Sequence, residues 1–269
     1  MAGDHQESRH HGAISMATFD PAALPHPLAA VLAPTGRLRA AINLANPVLC
    51  SGGRDGGEPR GLAADLARAL AQRLGVPVAL LPQASAKACV DIVQEEAADI
   101  GFFAIDPMRA GMLHFTPPYV QMEGVYVVPD SSALRSNEQV DAAGVRVAVG
   151  AGSAYALHLE RVLKQAQVIQ VQGSGQVVAA FAEQGLEAAA GVRQQMQADM
   201  AKWPGLRMLP GRFMAIYQSL ATSRRRSEEA CAFLNAFVED AKASGLAGES
   251  LARHGVQGAT VAVPGYPKG

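Results

Sequence analysis

The sequence has few of the residues that mark several common classes of protein. Its three cysteines, Cys50, Cys89 and Cys231, form no C-x-x-C pair, so the pattern of a zinc or redox site is absent and buried free thiols are expected. Aromatic residues make up 5% of the chain, too few for a base-stacking surface. Because 23 lysine and arginine residues nearly balance 24 aspartate and glutamate residues, nothing favours binding to phosphates, and nucleic acid is not expected as a partner.

Long hydrophobic runs are also missing. No stretch approaches the roughly twenty apolar residues that span a bilayer. Residues 1–18 are polar and rich in histidine, without the basic and apolar regions of a secretory signal. We predict that residues 1–32 form a flexible N-terminal tail.

Beyond this tail, strands and helices are predicted to alternate in two runs. The first run has strands over 38–42, 76–81 and 99–104 and helices over 61–74 and 84–97. The second has strands over 145–149, 168–171 and 187–191 and helices over 153–165 and 176–183. Such alternation is typical of parallel sheets covered by helices.

The remaining elements connect these two runs. Strands are predicted over 125–129 and 213–221, followed by a long helix over 227–244 and a shorter one that ends near His254. Two α/β lobes, with the C-terminal helices returning to the first lobe, are the simplest arrangement of these elements.

Short motifs in a fixed order run through the same region. They are T-G-R-L-R at 35–39, G-L-A-A-D-L-A at 61–67, A-D-I-G-F at 98–102, D-P-M-R-A followed by F-T-P-P-Y within 106–119, and V-A-V-G-A-G-S at 147–153. Over about residues 33–255 their order and spacing resemble bacterial extracellular solute-binding proteins of family 3, which serve polar amino-acid ABC importers.

The resemblance implies a type II periplasmic-binding fold, a two-lobed α/β clamshell in which each lobe is a mostly parallel sheet flanked by helices. Residues 33–121 with 224–269 would form lobe 1 and residues 122–223 lobe 2, with crossover strands near 121–124 and 221–223. It also implies a monomer that works with an ABC transporter permease in the periplasm. Because residues 1–18 show no signal pattern, a cytoplasmic location stays open.

Two residues are the strongest candidates for ligand binding. The resemblance places Arg109 where relatives grip the ligand's carboxylate, and a guanidinium matches the two oxygens of a carboxylate with a fork of donors. Ser153 follows Gly150-Ala151-Gly152 and begins a helix, whose first amides and dipole favour an anion. The alternative is that Arg109 lies on the surface and that Ser153 is only a helix cap.

Two positions depart from the family pattern. Val192 stands where relatives that bind α-amino acids have an aspartate for the amine, and Asp106 replaces the usual threonine. Either Asp106 binds the ligand's amine from the other lobe in place of that aspartate, or the ligand has no amine. Arg193 is a candidate for a second anionic group, or else a solvated arginine at a helix start.

The remaining candidates follow predicted strand ends, begin helices or lie near the crossover. Parallel sheets bind ligands at the carboxyl ends of their strands, which favours Asn43 and Asn46, although both are also common turn residues. The other candidates are Ala104, Ala154, Tyr155 and Glu123.

The sequence therefore predicts a binding protein for a small anionic or zwitterionic solute that bears a carboxylate, with no catalytic residue, metal or cofactor. Two alternatives stay open. One is an enzyme similar to cyclohexadienyl dehydratase, with Glu123 or Asp106 as its acid or base. The other is a ligand sensor of the same fold without a transporter.

Overall fold

The computed structural model describes residues 26–52 and 57–265. Its first elements agree with the predicted alternation of strands and helices. They are α1 (Ala29–Leu32), β1 (Leu38–Asn43), α2 (Leu62–Leu74), β2 (Val78–Gln83), α3 (Ala86–Gln94), β3 (Ile100–Ala104), α4 (Pro107–Ala110) and β4 (Leu113–Pro129).

The second run follows β4 and is again an alternation. Two short 3₁₀ helices, Asn137–Val140 and Ser174–Gln176, accompany it. Its elements are β5 (Arg146–Gly150), α5 (Ala154–Val162), β6 (Gln167–Val171), α6 (Val177–Glu183), β7 (Ala188–Val192), α7 (Arg193–Met200), β8 (Leu206–Met208), β9 (Met214–Ser223), α8 (Glu228–Ala243), α9 (Leu246–Arg253) and β10 (Thr260–Val261).

The strands form one sheet in the order β2-β1-β3-β9-β4-β7-β5-β6, while β8 and β10 pair with β4. At one end β1 is parallel to β2 and β3, and at the other β5 is parallel to β6 and β7. The antiparallel strands β4 and β9 lie between these groups and pair with each other over most of β9. The predicted crossover positions 121–124 and 221–223 lie within β4 and β9; the exact lobe boundaries stay a prediction.

Helix α2 shows how the sequence forms the core of the first lobe. Leu62, Leu66, Leu70 and Leu74 recur every four residues, so they share one face of the helix, and all four are fully buried. The helix ends at Gly75, which has φ 68°, a left-handed conformation that glycine adopts at little cost. No helix among the described residues is both long and apolar enough to cross a membrane.

The end of the predicted flexible tail is packed against the protein. Leu28 and Leu32 belong to the core, and the backbone N–H of His26 donates to the carbonyl of Leu74 at 2.9 Å. The tail prediction is therefore wrong for residues 26–32, because two buried leucines and the short helix α1 attach this segment to the first lobe. The rest of the predicted tail, residues 1–25, lies outside the described residues.

Candidate functional site

A cavity of about 290 Å³ lies between the two parallel groups of strands. Each of the six strands in these groups contributes a lining residue at or just after its carboxyl end. They are Asn43 at the end of β1, Ser85 after β2, Ala104 at the end of β3, Ala151 after β5, Gln172 after β6 and Val192 at the end of β7. This is the place where open α/β sheets bind ligands.

Arg109 reaches the cavity from α4 and is buried, with 5% of its surface exposed. One guanidinium nitrogen, Nη1, donates to the carbonyl of Ala104 at 3.3 Å, and Nη2 donates across the cleft to the carbonyl of Gly152 at 2.8 Å. Burial lowers the pKa of Arg109, while the nearby Asp106 carboxylate acts in the opposite direction. No carboxylate among the described residues forms an ion pair with Arg109, so its charge is balanced only by carbonyl dipoles and by the field of Asp106.

The start of α5 faces Arg109 from the second lobe. The Ser153 hydroxyl oxygen accepts a hydrogen bond from the N–H of Ala156 at 3.1 Å and so caps the helix. Ser153, Ala154 and Tyr155 all line the cavity, and the first amides of a helix have no partner within it. The site thus combines a guanidinium from one lobe with a helix N-terminus and a hydroxyl from the other, both of which favour an anion.

A buried hydroxyl cluster lies beside this helix start. The Tyr155 hydroxyl hydrogen-bonds with Ser174 and Ser153; burial raises the pKa of Tyr155, and these hydrogen bonds partly offset the rise. A Cβ at position 150 would lie 2.6 Å from both the Tyr155 Oη and the Ser174 Oγ. Only a glycine at position 150 therefore lets the two hydroxyls approach the backbone so closely.

Asp106 does not line the cavity. Its Oδ1 accepts from the N–H of Met108 at 2.9 Å and caps α4, and its Oδ2 pairs at 2.8 Å with Arg161 of α5. Asp106 is therefore already engaged in a link between the lobes, which argues against the expectation that it binds the ligand's amine.

Glu123 and Arg193 also lie outside the lining. They pair with each other at 2.6 Å, Arg212 approaches Glu123 at 3.3 Å, and Arg193 Nη2 donates to the carbonyl of Gly211 at 2.6 Å. The Arg193 guanidinium joins α7 to β4 and to the segment before β9, which argues against the expectation that it grips a second anionic group of the ligand.

The structure brings most of the predicted site residues together. Seven of the ten candidates line the cavity, namely Asn43, Asn46, Ala104, Arg109, Ser153, Ala154 and Tyr155. Asn43 also has a local role, because its side-chain oxygen accepts from the N–H of Ala45 at 3.0 Å.

Five polar lining residues were not predicted: Ser85, Gln172, Ser174, Gln195 and Gln218. The rule that ligands bind at carboxyl strand ends would have found the three that follow β2 and β6. The two others had no such signal, since Gln195 lies in the first turn of α7 and Gln218 lies in the middle of β9.

Arg109 is the only charged residue among the described residues that line the cavity. In the same described part of the chain, no group of three or more histidine, cysteine, aspartate or glutamate residues could hold a metal ion. The lining can therefore attract one negative charge and offer hydroxyl and amide groups to the rest of a ligand.

Comparison with known proteins identifies the family of the chain. Residues 38–256 match the family described as bacterial extracellular solute-binding proteins, family 3. A search of curated proteins finds no match.

Several solved structures have the same fold. A mutant of ArgBP from T. maritima is 19% identical with a TM-score of 0.70, covering 83% of this chain and 97% of that one. A putative ABC-transporter binding component from Wolinella succinogenes, complexed with lysine, is 20% identical with a TM-score of 0.70, covering 81% and 95%. An ancestral amino acid-binding protein, described as a precursor of cyclohexadienyl dehydratase, is 20% identical with a TM-score of 0.69, covering 82% and 95%.

The predicted two-lobed α/β fold is confirmed by these neighbours. The family match extends from β1 to just past α9, so it includes both parallel groups of strands and the cavity between them. The chain belongs to the bacterial extracellular solute-binding proteins, family 3.

Proposed function

We propose that this protein captures a small carboxylate-bearing solute between its lobes and delivers it to an ABC importer without changing it chemically. The observation that carries the proposal is Arg109, a residue with 5% of its surface exposed that lines the cavity and has no carboxylate partner among the described residues. A buried charge is costly unless it is paired, and a carboxylate pairs with a guanidinium through two parallel hydrogen bonds.

The opposite wall supports the same ligand group. Ser153 and the first amides of α5 lie across the cleft from Arg109, which already bonds to the carbonyl of Gly152 next to them. A carboxylate bound between Arg109 and α5 would contact both lobes, so its affinity would be highest in the closed conformation and it would favour closure.

Binding without turnover is favoured by the positions of the candidate acids. A general acid or base must reach the proton that it transfers. Asp106 and Glu123, the two carboxylates considered for that role, are paired with Arg161 and Arg193 outside the lining. The permease partner and the monomeric state rest on family membership, and they belong to the proposal.

A thermal-shift screen of small carboxylates tests this function on the wild type, Arg109→Gln and Arg193→Gln. A ligand at a hundredfold its Kd stabilises a protein by about 2.7 kcal/mol, whereas loss of one partner of a buried charge pair costs about 2–5 kcal/mol of binding. We expect a carboxylate to stabilise the wild type and Arg193→Gln, but not Arg109→Gln. Equal shifts in all three proteins, or no shift with any carboxylate, would refute the proposal.

A further inference from the structure

The charge of the cavity lining indicates which net charge the ligand carries. Its one charged member among the described residues is cationic, and its other polar members are hydroxyl and amide groups. Asp106 and Glu123, the two acidic residues predicted for the site, are each paired with an arginine outside the lining. A ligand that carries one negative charge would neutralise this site.

An amino acid would fit the same site poorly. Its carboxylate would pair with Arg109, and its ammonium group would then lie in the cavity with no carboxylate to pair with. An unpaired buried charge costs several kcal/mol even after relaxation. The penalty increases for an amino acid with a cationic side chain, because that second positive charge would also lie in a site that already holds Arg109.

Gln218 indicates which group replaces the amine. It is 5% exposed and lines the cavity from β9, and its side-chain amide makes no hydrogen bond with another described residue. In the sheet it is opposite Ala104, whose carbonyl accepts from Arg109. An amide that can both donate and accept is therefore available near the carboxylate grip, and it suits a hydroxyl or keto oxygen.

Gln195 contributes a second neutral group from the other lobe. Its Nε2 donates to Asp199 Oδ2 at 2.6 Å, which fixes the amide and leaves its oxygen as an acceptor at the cavity. A ligand hydroxyl can donate to that oxygen. Both glutamines can thus bind an uncharged polar group, but neither supplies the negative charge that an ammonium group needs.

From this lining we infer that the solute is a hydroxy or keto acid with a single negative charge, and not an amino acid. The inference rests on the proposed function, because it takes the grip of Arg109 on a carboxylate as given. It adds that the group beside the carboxylate is a neutral oxygen held by Gln218.

Matched ligand sets test the inference by isothermal titration calorimetry near pH 7. The sets are alanine, lactate and pyruvate; leucine, leucic acid and ketoisocaproate; and phenylalanine, phenyllactate and phenylpyruvate. In the set that binds best, we expect the hydroxy or keto acid to bind at least about 100-fold more tightly than the amino acid, as the cost of an unpaired buried charge implies. An amino acid that binds as tightly as its partners would overturn the inference.

Variants at two positions, Val192 and Gln218, separate this inference from the proposed function. Val192→Asp adds a carboxylate to the lining and should shift the preference towards the amino acid, whereas Val192→Asn should not. Gln218→Met should weaken phenyllactate or lactate more than phenylpropionate or propionate, which lack the hydroxyl. If both kinds of acid weaken equally, Gln218 does not hold the oxygen, and that part of the inference fails.

Arg109→Gln shows which of the two ideas has failed. Tight binding of an amino acid that is lost in Arg109→Gln contradicts the inference and leaves the carboxylate proposal intact. If no acid of any set binds, or if binding does not depend on Arg109, both are contradicted.

Discussion

Closure of the two lobes is expected to depend on the ion pair between Asp106 and Arg161. The pair joins the loop after β3 to α5 at 2.8 Å, with 2% of the Asp106 side chain and 38% of the Arg161 side chain exposed. A pair that is formed only when the lobes meet would contribute to ligand affinity as well as to stability. Asp106→Asn, Arg161→Gln and the double variant test this link.

The expected coupling free energy between Asp106 and Arg161 follows from how unequally the two side chains are exposed. Removing one partner of a fully buried pair costs about 3–5 kcal/mol, whereas exposed pairs contribute about 0.2–1 kcal/mol. Because more than a third of Arg161 is exposed, we expect a coupling of about 1 kcal/mol, which corresponds to roughly a fivefold change in Kd. Asparagine at position 106 keeps the cap on α4, so Asp106→Asn removes the charge without also removing the cap.

The assay is a double-mutant cycle on the affinity for an acid found in the carboxylate screen, measured by calorimetry. The cycle is needed because Asp106 also acts electrostatically on Arg109, so neither single variant isolates the pair. Small-angle X-ray scattering without ligand should show a larger radius of gyration for all three variants. Additive effects on affinity, with an unchanged radius of gyration, would refute a role of the pair in closure.

Two further substitutions test the packing around the site and the core. Asp65→Ala should lower the free energy of unfolding by about 2 kcal/mol in urea denaturation, because it removes a buried carboxylate that accepts hydrogen bonds from Ser250, Arg253 and His254. The control Asp91→Ala breaks an exposed ion pair with Lys87 and should cost less than about 0.5 kcal/mol. Equal costs in the two variants would show that the Asp65 contacts do not stabilise the fold. Gly150→Ala should displace Tyr155, because the new methyl carbon would lie 2.6 Å from the Tyr155 hydroxyl oxygen. We expect calorimetry to show about tenfold or more weaker binding of the acid. Unchanged affinity would show that the hydroxyl cluster does not shape the site.

Local patterns were sufficient to predict most helices and strands. The four leucines of α2 and the glycine after them predict a helix over 61–74, and the structure has Leu62–Leu74. The strand ends then indicate where the cavity lies, because parallel strands place their carboxyl ends together. The two asparagines were predicted from this rule, whereas Arg109 was predicted from the family resemblance and Ser153 from its place at a helix start.

Pairings between distant residues could not be predicted in this way. Glu123 and Arg193 are 70 positions apart, and no local pattern shows that they meet. Asp106 did carry a local signal, because an aspartate directly before a proline is typical of a helix cap, but its partner Arg161 comes from the other lobe. Gln218 faces the cavity from the middle of a strand, so its position depends on the pairing of β9 with β3.

The grip of Arg109 on a carboxylate is tested by comparing an acid from the screen with its own carboxamide. Both are titrated into the wild type and into Arg109→Gln. We expect the wild type to bind the acid about 100-fold more tightly than the amide, and this preference to fall to about tenfold or less in Arg109→Gln, because loss of a buried charge partner costs about 2–5 kcal/mol. A preference for the acid that is as large in Arg109→Gln as in the wild type would contradict the carboxylate grip.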